Sequence, residues 1–575
     1  MAPNDIILLD KLLGQKKKDL AETLADDTYF EIFTFEQVLK NYELSYEELL
    51  EGKVGGADDG GIDGFFVFIN GELVDEDSDF SAIRKNPSII VFLIQSKRST
   101  TFSEKAVESA ISTIGEIFDL TKDMVALRSI YNERLIEKAE IFRNCYMQLA
   151  SLHPNLQVNY IYASKGDKGG IHPKIIHKAE NLKNTILGKF PGSNTLEKFM
   201  GARELLEAAR KEKSFTLQLR FLENYISRGE NDYVILTTLK DYYDFVVDEE
   251  KTLRRYIFES NVRDYQGDVE VNKDIQKSLE STDALDFWWL NNGITILASK
   301  ASIAGKTITL DDVQVVNGLQ TTTTIYNHLR QKNSEDIEKE SRAILIRIIV
   351  TSNSETRDRI IKATNFQTSI PPASLRATDR IHRDIEDFFH SHGWYYERRK
   401  NYYKNLEKPV DKIISIPYLA QAIMAIVLCE PHNARSKPSS LIKREDDYKR
   451  VFNDDISLDV YFYCAKLLKQ IEDFIRSSAI EYTVHDKSNL KYHFAMYLIS
   501  KLIKKATYKV SEVETLEKSE SKISTEMFQQ ALADVIRIAK EYAMANGNQP
   551  INTVAKSKAF VTYLMENFST TPDSV

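Results

Sequence analysis

Gly60-Gly61-Ile62-Asp63-Gly64 opens an apolar run, Phe65 to Ile69, and Ile94-Gln95-Ser96-Lys97 closes another, Ile89 to Ile94. The glycines before Asp63 read as a loop, and the two apolar runs read as strands. One carboxylate then stands at a strand start, with an amide and an ammonium at the end of the neighbouring strand. Gln95 and Lys97 are two apart, so strand alternation puts both side chains on one sheet face. A carboxylate, a carbonyl oxygen and a lysine on adjacent strands suit a hard divalent cation, a water and a scissile phosphate. That is a nuclease reading.

The same residues also have a plainer reading. Asp-Gly is common turn chemistry, and a lysine at a strand end is often a solvated edge residue. Three features favour the site. Asp63 is the only carboxylate from Gly60 to Asn70, and its glycine neighbours allow close backbone approach. Lys97 follows an apolar run that reads as a buried central strand, whose C-terminal end is a favoured site position. Upstream, a helical segment carries Glu31 and Glu36, either able to supply a further ligand.

Asp63 with Gln95-Ser96-Lys97, preceded by a glutamate-bearing helix, resembles the PD-(D/E)XK restriction-endonuclease-like superfamily in the variant with Gln for the second acid. Ile62 stands where that family usually has proline, as in its Mrr-like branch. The resemblance implies Asp63 as the principal ligand of Mg²⁺ or Mn²⁺, with Gln95 near the metal. It implies that Lys97 orients or activates the attacking water and stabilises transition-state charge. Glu36, in Phe33-Thr34-Phe35-Glu36, is the expected helix acid, chosen over Glu31.

A second block lies further along. It comprises Leu253 to Tyr265, Phe287-Trp288-Trp289-Leu290-Asn291-Asn292-Gly293-Ile294-Thr295, Val313 to Thr322, Ala363 to Thr368 and Trp394 to Arg399. In this order the series resembles the AIPR family, named for abortive infection phage resistance, over roughly Tyr233 to Tyr403. An N-terminal restriction-like domain also fits that family. The resemblance implies a prokaryotic antiviral defence protein.

Asn-Asn-Gly and Asn-Gly read first as tight turns between strands. Asn317-Gly318-Leu319-Gln320-Thr321-Thr322 also follows a strand, Val313 to Val316, and precedes a helical run, Thr323 to Arg330. Backbone N–H groups at such a junction favour an anion. Asn292, Asn317, Gly318, Gln320 and Thr321 are therefore candidate anion-binding positions, with Arg254, Arg263 and Arg347 as possible partners. No P-loop signature is present. Tyr395 to Lys404 mixes four aromatics with four cations. Arg398, Arg399 and Tyr402 there are candidate nucleic-acid contacts, against the alternative of a solvated strand pair covering a core.

The net charge of −9 argues against a whole-surface DNA binder, so nucleic acid must meet local basic patches. There is no run of eighteen apolar residues and no apolar leader core in Met1 to Lys18; no membrane association and a cytoplasmic location are expected. Cys145, Cys429 and Cys464 lie far apart, so neither a disulfide framework nor a zinc site is expected. His382, His390 and His392 complete no zinc motif and read as ordinary core or surface residues.

Strands separated by helices give the expected fold, α/β: a restriction-endonuclease-like mixed sheet with helices, then an α+β AIPR domain and a helical C-terminal region. The expected segments are 1–228, 229–410 and 411–575, with Phe215 to Phe221 as a sheet-edge strand. The expected function is metal-dependent hydrolysis of nucleic acid, DNA first, by a homodimer responding to a nucleotide or phage-derived trigger. The alternatives are an RNase, or a nucleotide- or DNA-binding regulatory protein with a degenerate nuclease domain.

Overall fold

The computed structural model describes residues 3–21, 24–76, 78–81, 83, 86–210, 215–229, 232–249, 251–258, 270–280, 286–365, 377, 379–398, 400–436, 444–477, 484–518 and 523–568. The chain divides into two compact units, residues 1–75 with 79–370, and residues 76–78 with 371–575. It is a mixed α/β protein with several sheets and a helical C-terminal part.

The first unit contains two cores. In the first, strands β1 (Gly64–Ile69), β2 (Glu72–Leu73), β3 (Ser88–Lys97), β4 (Asn155–Ser164) and β5 (Asn194–Met200) form one sheet in the order β2-β1-β3-β4-β5. β1 runs antiparallel to β3, while β3, β4 and β5 are parallel. All six residues of β1 are buried, because both faces are covered. On one face Phe65, Val67, Leu93 and Tyr160 meet Val107 and Ile114 of the Glu104–Ile117 helix and Leu182 and Ile186 of the Pro173–Lys189 helix. On the other, Phe35 of the Asp26–Val38 helix stands edge-on to Phe66 at 5.5 Å, and Tyr42 lies 4.0 Å from Phe68.

Local signals place these helices. Asp26 and Asp27 sit in the first turn of Asp26–Val38, where the helix dipole favours anions. Ser45 and Glu48 form a reciprocal capping box that starts the short Tyr46–Glu51 helix, which feeds the chain toward Asp63.

The second core has two sheets. β6 (Leu217–Arg220) is an edge strand, as its alternation predicts. It pairs, however, with β11 (Thr307–Asp311), not with the first sheet, in the order β10-β11-β6, where β10 is Lys300–Ala304. The other sheet runs β12-β9-β13-β8-β7. Its strands are β7 (Ile226–Ser227), β8 (Asp232–Thr238), β9 (Ile294–Ala298), β12 (Gln314–Asn317) and β13 (Ala343–Val350). Within the first unit Arg255 lies over the Tyr42 ring and donates to the Gly71 carbonyl, linking the two cores.

Among the described residues the second unit is helical apart from the parallel pair β14 (Tyr395–Glu397) and β15 (Ile413–Ser415). Ile416–Ile426 is apolar nearly all round and is packed by the helices Leu458–Ser477, Lys491–Ile503 and Thr525–Ala545. Residues 371–410, grouped from sequence with the middle segment, thus belong to the same unit as the C-terminal helices. Among the described residues no helix is long and apolar enough to cross a membrane. All three cysteines are free.

Candidate active site

β1 and β3 bring Asp63, Gln95 and Lys97 together. The Asp63 backbone is fixed first: its N–H donates to Ile94 O at 2.8 Å, and its carbonyl accepts from Val54 N and Gly55 N at 2.8 and 3.0 Å. Its carboxylate is 2 % exposed. Asp63 Oδ2 accepts from Ser96 N at 2.7 Å and from Gln95 Nε2, and Lys97 Nζ lies 3.5 Å from Oδ1. Lys97 faces outward, its side chain 44 % exposed, so its ammonium links buried carboxylate to solvent. Gln95 is fully buried, and among the described residues its Oε1 has no hydrogen-bond partner.

The loop before Asp63 is built around Asp59, whose carboxylate accepts from Gly61 N at 2.8 Å and Gly56 N at 3.1 Å. Gly60 and Gly61 take φ of +60° and +81°, the left-handed region that glycine enters freely. Thr113 Oγ1 donates to Gly60 O at 2.8 Å and fastens the loop to the Glu104–Ile117 helix.

The helix acid differs from the expected one. Thr34 accepts from Ser96 Oγ at 3.0 Å, so the Thr34 face of Asp26–Val38 meets the end of β3. Glu31, one turn earlier on that face, is close enough for its charge to act on Asp63, and it pairs with Lys53 Nζ at 2.5 Å. Glu36 is five residues on from Glu31, about 140° around the helix, and its charge acts on Tyr29 instead. Glu31, where Glu36 is the expected acid, is thus the helix glutamate whose charge reaches Asp63. Lys53, unremarked in the sequence, is held by a bridge to Gly64 at the start of β1.

Burial pushes the Asp63 carboxyl up to about 6, and Glu31 and Asp59 add to the rise. Lys97 and the Ser96 N–H oppose it without cancelling it. A buried carboxylate held so far above its ordinary range lacks positive charge.

Among the described residues no three His, Cys, Asp or Glu side chains group as a metal-ligand set. Mg²⁺ does not need such a cage, since one or two carboxylates suffice when waters and substrate phosphate complete its shell. Asp63 and Glu31, with the buried and unpartnered Gln95 Oε1, fit that hard-oxygen donor set.

In the second core, Gly318 stands between β12 and the Leu319–Leu329 helix, the strand-to-helix junction expected from sequence. Its φ is +105°, and an added Cβ would collide with Ile294 Cδ1. Gly293, φ +74°, would place a Cβ 2.6 Å from Leu345 O. Both glycines are thus required by the backbone itself. Asn317 Nδ2 donates to Thr364 O at 3.2 Å, and Arg347 Nη2 to Asn292 O at 3.3 Å. Gln320 and Thr321 lie half-buried in the helix's first turn. Arg254 donates to Tyr256 OH at 3.3 Å, and Arg263 lies outside the described residues.

The family profile described as AIPR protein matches residues 258–550, half of the chain. The chain belongs to the AIPR family. The match starts later than Tyr233 and runs far beyond Tyr403, into the C-terminal helices. Membership points to a role in abortive-infection phage defence. No curated protein and no solved structure matches the chain. The Asp63 cluster of this AIPR protein lies ahead of the matched residues.

Within the matched region, Arg398 departs from its expected role. It is 9 % exposed; its Nε donates to Glu386 Oε2 at 2.6 Å and its Nη1 to Ala377 O at 3.0 Å. Tyr403 OH donates to the other Glu386 oxygen at 3.1 Å. Arg398 is the inner half of an ion pair, with its guanidinium turned to Glu386. Tyr402 is half-buried against Tyr403, and Arg399 lies outside the described residues. His382, fully buried between the Tyr396 and Tyr448 hydroxyls at 2.7 and 3.0 Å, is a core residue; His390 and His392 are exposed.

Proposed function

We propose that this AIPR protein is a metal-dependent phosphodiesterase that cleaves nucleic acid, DNA foremost, during phage defence. The observation that carries the reading is the convergence of buried Asp63, half-exposed Lys97 and the unpartnered Gln95 Oε1 at the paired ends of β1 and β3. The order of elements agrees with it: a glutamate-bearing helix, then the three strands β1 to β3, then three helices, then β4 parallel to β3.

Asp63 and Glu31 would hold Mg²⁺ or Mn²⁺, with Gln95 Oε1 as a neutral donor. When bound, the ion supplies charge neutralisation at the phosphate and lowers the pKa of a bound water. The rest is the chain's own work. Lys97 reaches from the buried carboxylate to solvent, where its ammonium donates to a non-bridging phosphate oxygen as negative charge builds there. The Ser96 N–H keeps Asp63 Oδ2 in place, and Lys53 neutralises Glu31 until a cation takes its place.

The test is incubation of the purified full chain with plasmid DNA, single-stranded DNA and RNA, in Mg²⁺ and in EDTA. Cleavage in Mg²⁺ that stops in EDTA, and in both Asp63→Ala and Lys97→Ala, is the expected result. Cleavage that survives in both variants while still requiring metal places the active site elsewhere. The substrate cut fastest distinguishes DNase from RNase.

A further inference from the structure

β4 places two tyrosines beside the Asp63 cluster. It runs along β3 with Tyr160 opposite Leu93 and Tyr162 opposite Gln95. Strand alternation puts these four side chains on one sheet face, the face on which Gln95 meets Asp63. Leu93, Tyr160 and Tyr162 accordingly share the core on that face.

The two hydroxyls differ in their surroundings. Tyr162 accepts from Ser103 N at 3.0 Å, just where the Glu104–Ile117 helix begins. Tyr160 is 1 % exposed, and among the described residues its hydroxyl has no hydrogen-bond partner. A buried hydroxyl without a partner costs free energy, and such an exception calls for an explanation. The groups whose charge acts on the Tyr160 hydroxyl are Tyr162 and Asp63. Tyr162 is further along β4, and Asp63 N donates to Ile94 O near the end of β3. The Tyr160 hydroxyl therefore points to the Asp63 end of the sheet.

A hard divalent ion held by one or two carboxylates keeps several of its waters. Those waters are fixed by neighbouring polar groups, and a buried hydroxyl is a donor that solvent does not compete for. We propose that Tyr160 is a positioning residue: its hydroxyl holds a water in the hydration shell of the ion that Asp63 binds. The inference rests on the metal-dependent reading given above and adds to it a residue from β4.

Melting curves in EDTA, and titration calorimetry with MnCl₂ in its absence, test it on the full chain. The proteins are wild type, Tyr160→Phe, Tyr162→Phe and Asp63→Ala. In EDTA, Tyr160→Phe should melt at or above the wild-type temperature, because only an unpaired hydroxyl is removed. Tyr162→Phe should melt lower, because Ser103 N loses its acceptor. Tyr160→Phe should bind Mn²⁺ about tenfold more weakly than wild type, and Asp63→Ala should lose binding. Weaker binding in a protein that is no less stable separates a role toward the ion from a role in packing. Equal Mn²⁺ affinity in wild type and Tyr160→Phe, with binding lost in Asp63→Ala, overturns this inference alone. So does a Tyr160→Phe protein that melts below wild type in EDTA. A wild type that binds no Mn²⁺, or binds it as tightly as Asp63→Ala does, overturns the metal-dependent reading and this inference with it.

Discussion

Gln95 donates its side-chain amide to the Asp63 carboxylate across the β1–β3 pair and leaves its own Oε1 buried, without a partner among the described residues. A neutral residue thus holds the place where a second acid would face Asp63. Replacing Gln95 by Glu removes the amide donor and sets two carboxylates against each other in a buried site. Without metal, the like charges should lower the melting temperature at pH 8. With Mg²⁺ the added oxygen charge should tighten binding several-fold, as calorimetry reads directly. Unchanged affinity would put Gln95 outside the metal shell.

Asp63 itself gives a pH-dependent stability. Its carboxyl titrates near 3.8 in the unfolded chain and at about 6 in the fold. Below 3.8 both states hold the proton and the group costs nothing. Between the two values the folded chain keeps a proton that the unfolded chain has lost. Above about 6 the fold bears a buried negative charge, so the stability present at low pH has been lost. The difference corresponds to about 3 kcal/mol. Asp63→Asn should therefore raise the melting temperature of the metal-free protein at pH 7.5, with the gain vanishing at pH 4. Equal melting at pH 7.5 would mean that Asp63 is not charged at a cost.

Glu31→Gln should abolish cleavage, whereas Glu36→Gln should retain it. Loss of one charge-stabilising group at the reacting centre costs about 2.7–4 kcal/mol of barrier, a hundredfold or more in rate. Rates measured side by side in Mg²⁺ decide between the two acids; loss with Glu36→Gln alone would reverse the assignment.

These glutamates mark where the sequence stops being readable. Asp63, Gln95 and Lys97 were legible because strand alternation is a fixed period of two and both strands are bounded by clear apolar runs. The helix acid was not, because its phase depends on which side meets the sheet. Six buried residues run nearly all round Asp26–Val38, so no apolar stripe gives that side away. Contacts with residues far along the chain do so, among them Thr34–Ser96, 62 residues apart. β6 shows the same limit. Its alternation identified a strand, but its partner β11 lies far along the chain, and no local signal selects it.

The burial of Arg398 is hidden in the sequence for a related reason. Its partner Glu386 is on a helix twelve residues earlier, and the basic-aromatic run Tyr395 to Lys404 looks like a contact surface only while that partner is ignored. Breaking a buried pair costs about 3–5 kcal/mol, because the remaining charge is left uncompensated. Arg398→Ala should lower stability sharply, and Arg398→Ala with Glu386→Gln should recover part of the loss. Nucleic-acid affinity of the folded fraction should not change; a selective loss of affinity at full stability would return Arg398 to the binding surface.

Gly318 separates a backbone requirement from a ligand requirement. A left-handed conformation costs a side-chain-bearing residue about 1–2 kcal/mol, and here the new Cβ also meets Ile294 Cδ1. Ile294 is fully buried in the second core and has little room to withdraw. Gly318→Val should therefore destabilise the protein with or without any anion bound, by more than the left-handed cost alone. Gly318→Ala, which adds one methyl at the same position, should fall between it and wild type. Denaturant melts of the three proteins in phosphate-free buffer give the order. A Gly318→Val protein as stable as wild type would mean that the junction opens without cost, and the glycine would then be explained only by what binds beside it.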